Sequence, residues 1–269
     1  MSILVAGHYC HDTLLSNAGT HRALGGSAAY ASAILEALHE PYEVAAKVGA
    51  DFLYIAQVKR PPRVVAGRTS SFVDDYRSGQ RRERVESVCE PLHPEDLQGS
   101  FDVGLACAVS CEVTPATLAR IRQICHITMA DAQGLLREIT PDGAVVLKPL
   151  HPGAPACLDY LKASRTEAEL LDVDALRQRL TLLITDGPHG CTIVTRSGET
   201  HVPAFPADEK DPTGAGDCFL AGFAVGIARG LDAPRAARIG AYCGARAVEV
   251  VGVPDLTPDQ AREALSSER

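Results

Sequence analysis

The stretch that decides the fold is Lys210–Phe219, KDPTGAGDCF. An apolar, helix-permissive run, LAGFAVGIARG, follows it at Leu220–Gly230, so a helix is predicted to begin near Gly214. Its first turn would contain two glycines, Gly214 and Gly216, and each is less favourable there than alanine by roughly 1 kcal/mol. The two glycines therefore need a reason other than helix formation.

Anion binding supplies such a reason. Backbone N–H groups at a helix N terminus lack intrahelical partners, and an anion binds them where no side chain covers them. Gly214, Ala215 and Gly216 leave these amides uncovered, and Asp217 projects from the same turn. A carboxylate beside an anion needs a role, and the simplest is to accept the proton of a hydroxyl that attacks a phosphate. An ordinary helix capped by Thr213 would explain Asp217 but neither glycine.

Length and composition limit the remaining classes. The 269 residues, 46% of them hydrophobic, suffice for one domain with a full core, and no secretory signal or membrane span is expected. Nine cysteines without a CxxC pair favour reduced thiols and a cytoplasmic location. The formal charge of −8 disfavours a nucleic-acid partner but permits a small phosphate ligand.

The order of the predicted elements indicates an α/β fold. Short apolar strands are expected at Ile3–Ala6, Glu43–Val48, 124–131, Val145–Lys148 and Thr181–Thr185, with a hairpin over 191–205. Helices are expected from Ser27, from Pro115 after the N-cap Thr114, and at Gly214–Arg229, Pro234–Val250 and Pro258–Leu265. This alternation is typical of a mostly parallel sheet covered on both faces.

Two polar segments depart from this pattern. Residues 11–26 are predicted to form one hairpin and residues 68–87 another, because each has sparse apolar positions around a turn. Beside an α/β core, the two would form a small accessory sheet that covers a site as a lid.

Several motifs together resemble one family. DPTGAGD resembles the C-terminal signature of the ribokinase-like (PfkB) carbohydrate kinases, LGGSAAYAS their Gly-Gly substrate motif, and TDGPHG their nucleotide turn. GHYCHD, KVGADF and LKASRTEAELLDV extend the resemblance to the myo-inositol 3-kinase branch known from plants. The resemblance implies a single kinase domain over 1–269, a three-layer sandwich with a mostly parallel sheet and a β-hairpin lid. It also implies a small polyol as substrate, most closely myo-inositol.

The resemblance also implies a role for each motif residue. Asp217 would be the catalytic base, and the amides of Gly214, Ala215 and Gly216 the anion hole. The polyol would be held by Asp12, Gly25, Gly26 and Ser27. The nucleotide would be held by Ser164, Thr185, Gly187, Gly190, Thr213, Gly214 and Gly216. Glu167 would organise Mg²⁺ through water. The implied cofactors are ATP and Mg²⁺, with a monovalent cation such as K⁺ as a further candidate, and the assembly would be a monomer or a homodimer through the lid.

The sequence departs from the family at two positions. Ser164 stands where the family has asparagine, which weakens a direct phosphate contact there, and Ala29 stands near a second family asparagine, which weakens a ribose assignment. Among kinases, the alternative is an enzyme that acts on another small sugar or on a nucleoside. A non-catalytic sensor on the same fold is a weaker alternative, since it would not need Asp217.

Other readings of the motifs remain open at this stage. Ser164 and Glu167 also form a capping box. His8, Cys10 and Asp12 alternate as zinc ligands on a strand would, although a fourth ligand is missing. The lid arginines, Arg77 among them, are expected mainly as solvated charges, and Lys47 could face either the substrate pocket or the solvent.

Overall fold

The fold is that of a computed structural model, which describes residues 1–17, 19–78 and 82–267. Its strands are β1 (Ile3–Ala6), β2 (Cys10–Ser16), β3 (Gly19–Gly25), β4 (Tyr42–Ala45), β5 (Lys47–Gly49), β6 (Arg63–Val65), β7 (Ser71–Asp75), β8 (Arg82–Ser87), β9 (Phe101–Ala106), β10 (Cys125–Asp131), β11 (Arg137–Ile139), β12 (Val145–Leu147), β13 (Tyr160–Ser164), β14 (Thr181–Thr185), β15 (Cys191–Thr195) and β16 (Gly198–Val202). Its helices are α1 (Ser27–Ala37), α2 (Pro115–Ile124), α3 (Ala132–Leu136), α4 (Arg165–Ala168), α5 (Val173–Leu176), α6 (Ala215–Ala228), α7 (Ala233–Ala247) and α8 (Pro258–Ser266).

Eight strands form the central sheet, in the order β16-β15-β14-β13-β10-β9-β1-β4. The six strands from β14 to β4 are parallel, and the hairpin β15–β16 adds two antiparallel strands at one edge. The predicted α/β class with a mostly parallel sheet is therefore confirmed. Parallel strands place all their carboxyl ends on one edge, which is where open α/β sheets bind ligands.

The two faces of the sheet are covered by different helices. Strand residues alternate between the faces, and Ile3 and Val5 belong to the apolar cluster that also contains buried residues of α1, α6, α7 and α8. Leu4 and Ala6 point to the other face, where they join the apolar side chains of α2. Both faces of the strands are buried, which explains why their sequences are continuous apolar runs.

The segments predicted as hairpins form one accessory sheet. β2 pairs with β3 and β7 pairs with β8, each antiparallel, and β2 and β7 join them in parallel, which gives the order β3-β2-β7-β8. The turn residues Ala18 and Gly79 lie outside the described residues. We call this accessory sheet the lid sheet; its action as a lid stays a prediction.

Two strand predictions were wrong in part. The run Glu43–Val48 is divided between β4, in the central sheet, and β5, which pairs with β6 in a small separate sheet. Val145–Leu147 pairs with Arg137–Ile139 outside the central sheet, although its apolar sequence favours burial; Leu147 is 57% exposed. The sequence reading also omitted β9 and β13, two strands of the central sheet.

Candidate active site

The glycines of the first stretch lie at the start of α6. Gly214 is the N-cap and has a left-handed backbone with φ 75°, which favours glycine. The first i→i−4 bond runs from the Cys218 N–H to the Gly214 carbonyl at 2.9 Å. The amides of Gly216 and Asp217 precede that bond, whereas the Ala215 N–H donates to the Pro212 carbonyl at 3.3 Å. The helix therefore begins one residue later than predicted, with two amides before its hydrogen-bond ladder.

Close packing gives both glycines a second reason. A Cβ at Gly214 would lie 2.1 Å from the ring of Tyr30, and a Cβ at Gly216 would lie 2.5 Å from Lys162 Nζ. Thr213 does not cap the helix, because no side-chain oxygen accepts from its first turn. Its hydroxyl is buried without a partner among the described residues, as is Asp211 Oδ2.

Asp217 is half-buried beside a second carboxylate and an ammonium. Lys162 Nζ donates to Asp131 Oδ2 at 2.8 Å, and these two residues and Asp217 line one cavity. Burial and the negative charge of Asp131 raise the pKa of Asp217 to about 7, although Lys162 lowers it. A carboxylate whose pKa lies near neutral pH is suited to accept a proton there.

The acceptor cavity is the space of about 160 Å³ in front of Asp217. The lid sheet contributes Asp12, Phe72, Asp74 and Glu83, and the body contributes Gly26, Ser27, Tyr30, Val109, Asp131, Gln133, Arg137, Lys162, Pro212, Thr213, Gly214, Gly216 and Asp217. Two predicted segments, the lid and the start of α6, thus meet at one cavity.

The pair Gly25-Gly26 lies at the wall of the acceptor cavity. A Cβ at Gly25 would lie 1.8 Å from Asp12 Oδ2, so the carboxylate rests directly against the glycine backbone. Gly26 has φ 85° and is the N-cap of α1, and the Ser27 hydroxyl donates to the Cys107 carbonyl. Of the four residues predicted to hold the polyol, Asp12, Gly26 and Ser27 line the cavity and Gly25 positions Asp12.

An ion pair connects the lid sheet to the body across the acceptor cavity. Arg137 donates to both carboxylate oxygens of Glu83, at 3.1 and 3.2 Å, and both side chains are largely buried. Arg77 pairs with Asp75 on the surface, which agrees with its expected position as a solvated lid charge. The arginine that lines the acceptor cavity is therefore Arg137 of the body and not Arg77 of the lid sheet.

A second, more apolar cleft of about 520 Å³ lies on the other side of the α6 N terminus. We call it the donor cleft. It is lined by Thr185, Gly187, Pro188, Gly190, Ala204, Phe205, Pro206, Ala207, Glu209, Ala215, Gly216, Phe219, Ala241, Gly244, Ala245 and Val248. Gly216 lines both spaces, so the two meet at the helix start.

Several residues that were predicted to hold the nucleotide or the metal lie outside the donor cleft, namely Ser164, Glu167, Thr213 and Gly214. Thr213 and Gly214 line the acceptor cavity and not the donor cleft. The capping box is present, since Glu167 Oε2 accepts from both the N–H and the hydroxyl of Ser164, and neither residue lines either space. The metal role of Glu167 stays a prediction.

Two open readings of the sequence are resolved here. Cys10 is fully buried, and over residues 1–17, 19–78 and 82–267 no cluster of three His, Cys, Asp or Glu side chains could hold a metal ion. The zinc reading is therefore not supported. Lys47 faces neither solvent nor substrate, because it is buried in ion pairs with Glu90 and Asp96. In the part of the chain that the structure describes, no helix combines the length and apolarity of a membrane span.

Comparison with known proteins agrees with this architecture. The family model of the pfkB family carbohydrate kinases matches residues 68–260. The chain is 39% identical over 280 residues to an inositol 3-kinase of Zea mays, covering 95% of this chain and 74% of the relative. It is 41% identical over 278 residues to an inositol 3-kinase of Oryza sativa subsp. japonica, covering 95% and 70%.

The chain belongs to the pfkB family of carbohydrate kinases. It is therefore a kinase, and the resemblance to the inositol 3-kinase branch is confirmed. A pyrophosphate-dependent kinase of the ribokinase family, solved with a pyrophosphate analogue and myo-inositol, has the same fold with a TM-score of 0.78. It is 18% identical, and the match covers 97% of this chain and 99% of that one. The predicted ribokinase-like fold is thus confirmed.

The start of α6 yields a first prediction. Gly216→Ala should lower kcat by about 10²-fold, the scale of losing one preorganised donor, because the new Cβ displaces Lys162 Nζ and covers the amides. Gly226→Ala is the matched control on the same helix, where the Cβ would crowd Ala236 at 2.6 Å. The control should lower Tm and leave kcat per folded enzyme unchanged. Equal kcat values for the two variants would move the anion site away from Gly216.

Proposed function

We propose that this kinase transfers the terminal phosphoryl group of MgATP to one hydroxyl of myo-inositol or a closely similar neutral cyclitol. The observation that carries the proposal is the shared position of Gly216 between the acceptor cavity and the donor cleft, with Asp217 next to it. A donor and an acceptor bound on the two sides would present their reacting groups to each other at the α6 N terminus.

The reaction follows from these positions. The carboxylate of Asp217 accepts the proton of the attacking hydroxyl, whose oxygen forms the new O–P bond. The bond from the terminal phosphorus to the bridging oxygen breaks, and the diphosphate leaves. Charge develops on the phosphoryl oxygens in transfer, and the amides of Gly216 and Asp217, with the positive end of the α6 dipole, stabilise it.

The lining of the donor cleft favours a nucleotide over pyrophosphate. Its walls contain Phe205, Pro188, Ala241 and Val248, and no lysine or arginine is among its described lining residues. An apolar cleft of this size suits a heteroaromatic base, whereas bare pyrophosphate requires fixed cations to balance its charge. The cleft lining therefore supports ATP, although the structural relative uses pyrophosphate.

Mg²⁺ would be held mainly by the phosphates and water, and Glu167, which lines neither the acceptor cavity nor the donor cleft, would contact the ion only through water. One carboxylate beside substrate phosphates fits the usual coordination of this ion, which keeps several waters. Bound there, Mg²⁺ would neutralise phosphate charge. For the monovalent cation, the buried oxygens Asp211 Oδ2 and Thr213 Oγ1, which have no hydrogen-bond partner among the described residues, are ligands of suitable chemistry.

The charges of the acceptor cavity favour a neutral polyol. Among the described residues, five carboxylates line it, namely Asp12, Asp74, Glu83, Asp131 and Asp217. The two cations, Lys162 and Arg137, are each paired with a carboxylate. A sugar acid or sugar phosphate would meet a net negative wall, whereas hydroxyls can donate to the carboxylates and accept from Gln133 and Arg137.

A substrate panel tests the proposal. With MgATP as donor, myo-inositol should exceed ribose, a nucleoside, fructose 6-phosphate and 2-keto-3-deoxygluconate in kcat/KM by about 10²-fold. With myo-inositol as acceptor, ATP should exceed pyrophosphate. Product mapping would identify the phosphorylated hydroxyl. A higher kcat/KM for ribose or a nucleoside would contradict the acceptor assignment, and a preference for pyrophosphate would contradict the donor assignment.

A further inference from the structure

Lys162 is a buried lysine with an ion-pair partner on the neighbouring strand. It is the middle residue of β13, Asp131 is the last residue of β10, and the two are directly paired in the register of these parallel strands. Lys162 is 6% exposed and Asp131 is 3% exposed. Removing two charges from water is unfavourable by several kcal/mol per ion, so a buried pair is weak support for stability. Its presence at the active-site edge of the sheet therefore indicates a functional reason.

The ammonium of Lys162 lies against the anion-binding turn. A Cβ on Gly216 would lie 2.5 Å from Lys162 Nζ and 3.8 Å from Asp131 Oδ2, so only a glycine leaves room for the ammonium there. Lys162, Asp131 and Asp217 all line the acceptor cavity. Among the described residues, Lys162 Nζ donates to Asp131 Oδ2, which leaves two of its three N–H donors for a ligand.

We infer that Lys162 is a catalytic residue whose ammonium binds the phosphoryl group in transfer, and that Asp131 is the positioning residue that holds it beside Gly216. The inference rests on the proposed role of the α6 N terminus. The two amides supply partial positive charge, and Lys162 supplies a full charge at the place where the phosphoryl oxygens must pass. No proton leaves Lys162 in this step; the proton of the acceptor hydroxyl goes to Asp217.

The surroundings keep Lys162 charged. Burial lowers its pKa, but Asp131, Glu167 and Asp217 together raise it above the ordinary value. The cation therefore persists through the pH range in which Asp217 titrates. The charged groups that act on Asp217 are Asp131 from β10, Lys162 from β13, Glu112 from the loop after β9 and Arg137 from β11.

The first experiment compares two buried lysines. Lys162→Met should lower kcat by about 10²–10³-fold with a smaller change in KM, the scale found for loss of a transition-state donor, and Lys162→Arg should restore part of the loss. Lys47→Met is the matched control, because Lys47 is 2% exposed, is paired with Glu90 and Asp96, and does not line the cavity. The control should lower Tm and leave kcat per folded enzyme unchanged.

The second experiment separates a charge effect from a folding effect. The pH dependence of kcat/KM should rise through the pKa of Asp217. Lys162→Met removes a positive neighbour and should move this limb to higher pH, whereas Asp131→Asn removes a negative neighbour and should move it to lower pH. Asp131→Asn also provides the test if Lys162→Met does not fold.

The outcomes distinguish this inference from the proposed function. Retained kcat in Lys162→Met, or limb shifts of the same sign in both variants, would overturn the role of Lys162. If Asp217→Asn is inactive while Lys162→Met is active, the proposed function stands and the inference fails. If both variants keep wild-type kcat, the proposed site itself is wrong.

Discussion

Asp217→Asn should lower kcat by about 10²–10⁴-fold, which is the usual contribution of a positioned general base. Asparagine has nearly the same shape as aspartate, so the acceptor cavity and the start of α6 should be retained, but its amide cannot accept the proton of the attacking hydroxyl. ATP binding should change little, because the donor cleft does not include Asp217 among its lining residues. Steady-state kinetics with myo-inositol and an ATP titration by calorimetry measure both quantities.

The matched control is Asp232→Asn, at the N-cap of the next helix. The Asp232 side chain accepts from the Arg235 N–H, a bond that asparagine can also accept, so this variant should keep wild-type kcat. An Asp217→Asn variant with most of the wild-type kcat would exclude Asp217 as the base.

The same substitution has an expected effect on stability. The pKa of Asp217 is raised to about 7 in the folded protein, above its ordinary value of 3.8, so its ionised form opposes folding. This destabilisation is absent below about pH 4, grows as pH rises toward 7 and is complete above it. Asp217→Asn should therefore have a Tm at or above that of the wild type at pH 8, with the difference shrinking as pH falls through 7. Melting curves at pH 5 and pH 8 test the sign.

The parts of the site that the sequence revealed are contiguous in the chain. KDPTGAGDCF contains the helix start, the uncovered amides and Asp217 within ten residues, so local pattern and helix chemistry suffice to predict them. Asp12 and the Gly-Gly pair are similarly close, and the structure places the Asp12 carboxylate on the backbone of Gly25. Each lid segment also forms the antiparallel strand pair that its turn residues predicted.

The parts that the sequence did not reveal depend on pairing between distant segments. Asp131 ends β10 and Lys162 lies in the middle of β13, and only the parallel register of these two strands brings their side chains to 2.8 Å. The strand β13 itself was omitted, so the partner of Asp131 could not be predicted. The ion pair of Arg137 and Glu83 joins β11 to the lid strand β8, and no local sequence pattern predicts such a contact. The apolar run at Val145–Leu147 was wrongly expected in the main sheet, because it pairs with Arg137–Ile139 in a separate two-stranded sheet.

Asp12→Ala should reduce kcat/KM for myo-inositol by about 10²–10⁴-fold, mainly through KM. Asp12 is half-buried, and a carboxylate that receives two hydroxyls makes two charge-assisted hydrogen bonds, each worth on the order of 1.5–3 kcal/mol. Asp12 lines the acceptor cavity, and its carboxylate is fixed against Gly25, so removing it leaves hydroxyls unpaired in a space closed by the lid sheet. No lid residue that the structure describes lines the donor cleft, so KM for ATP should stay within about twofold.

The control for Asp12 is Asp75→Asn, a loss of negative charge on the neighbouring lid strand. Asp75 pairs with Arg77 on the surface and does not line the acceptor cavity, so this variant separates the charge of the lid from the contact with the polyol. It should keep the wild-type KM for myo-inositol. If Asp12→Ala raises the KM of ATP in parallel with that of myo-inositol, Asp12 acts on the fold or the nucleotide. If Asp75→Asn raises the KM of myo-inositol as far as Asp12→Ala does, general lid charge and not hydroxyl binding is responsible, because of these two aspartates Asp12 lines the acceptor cavity and Asp75 does not.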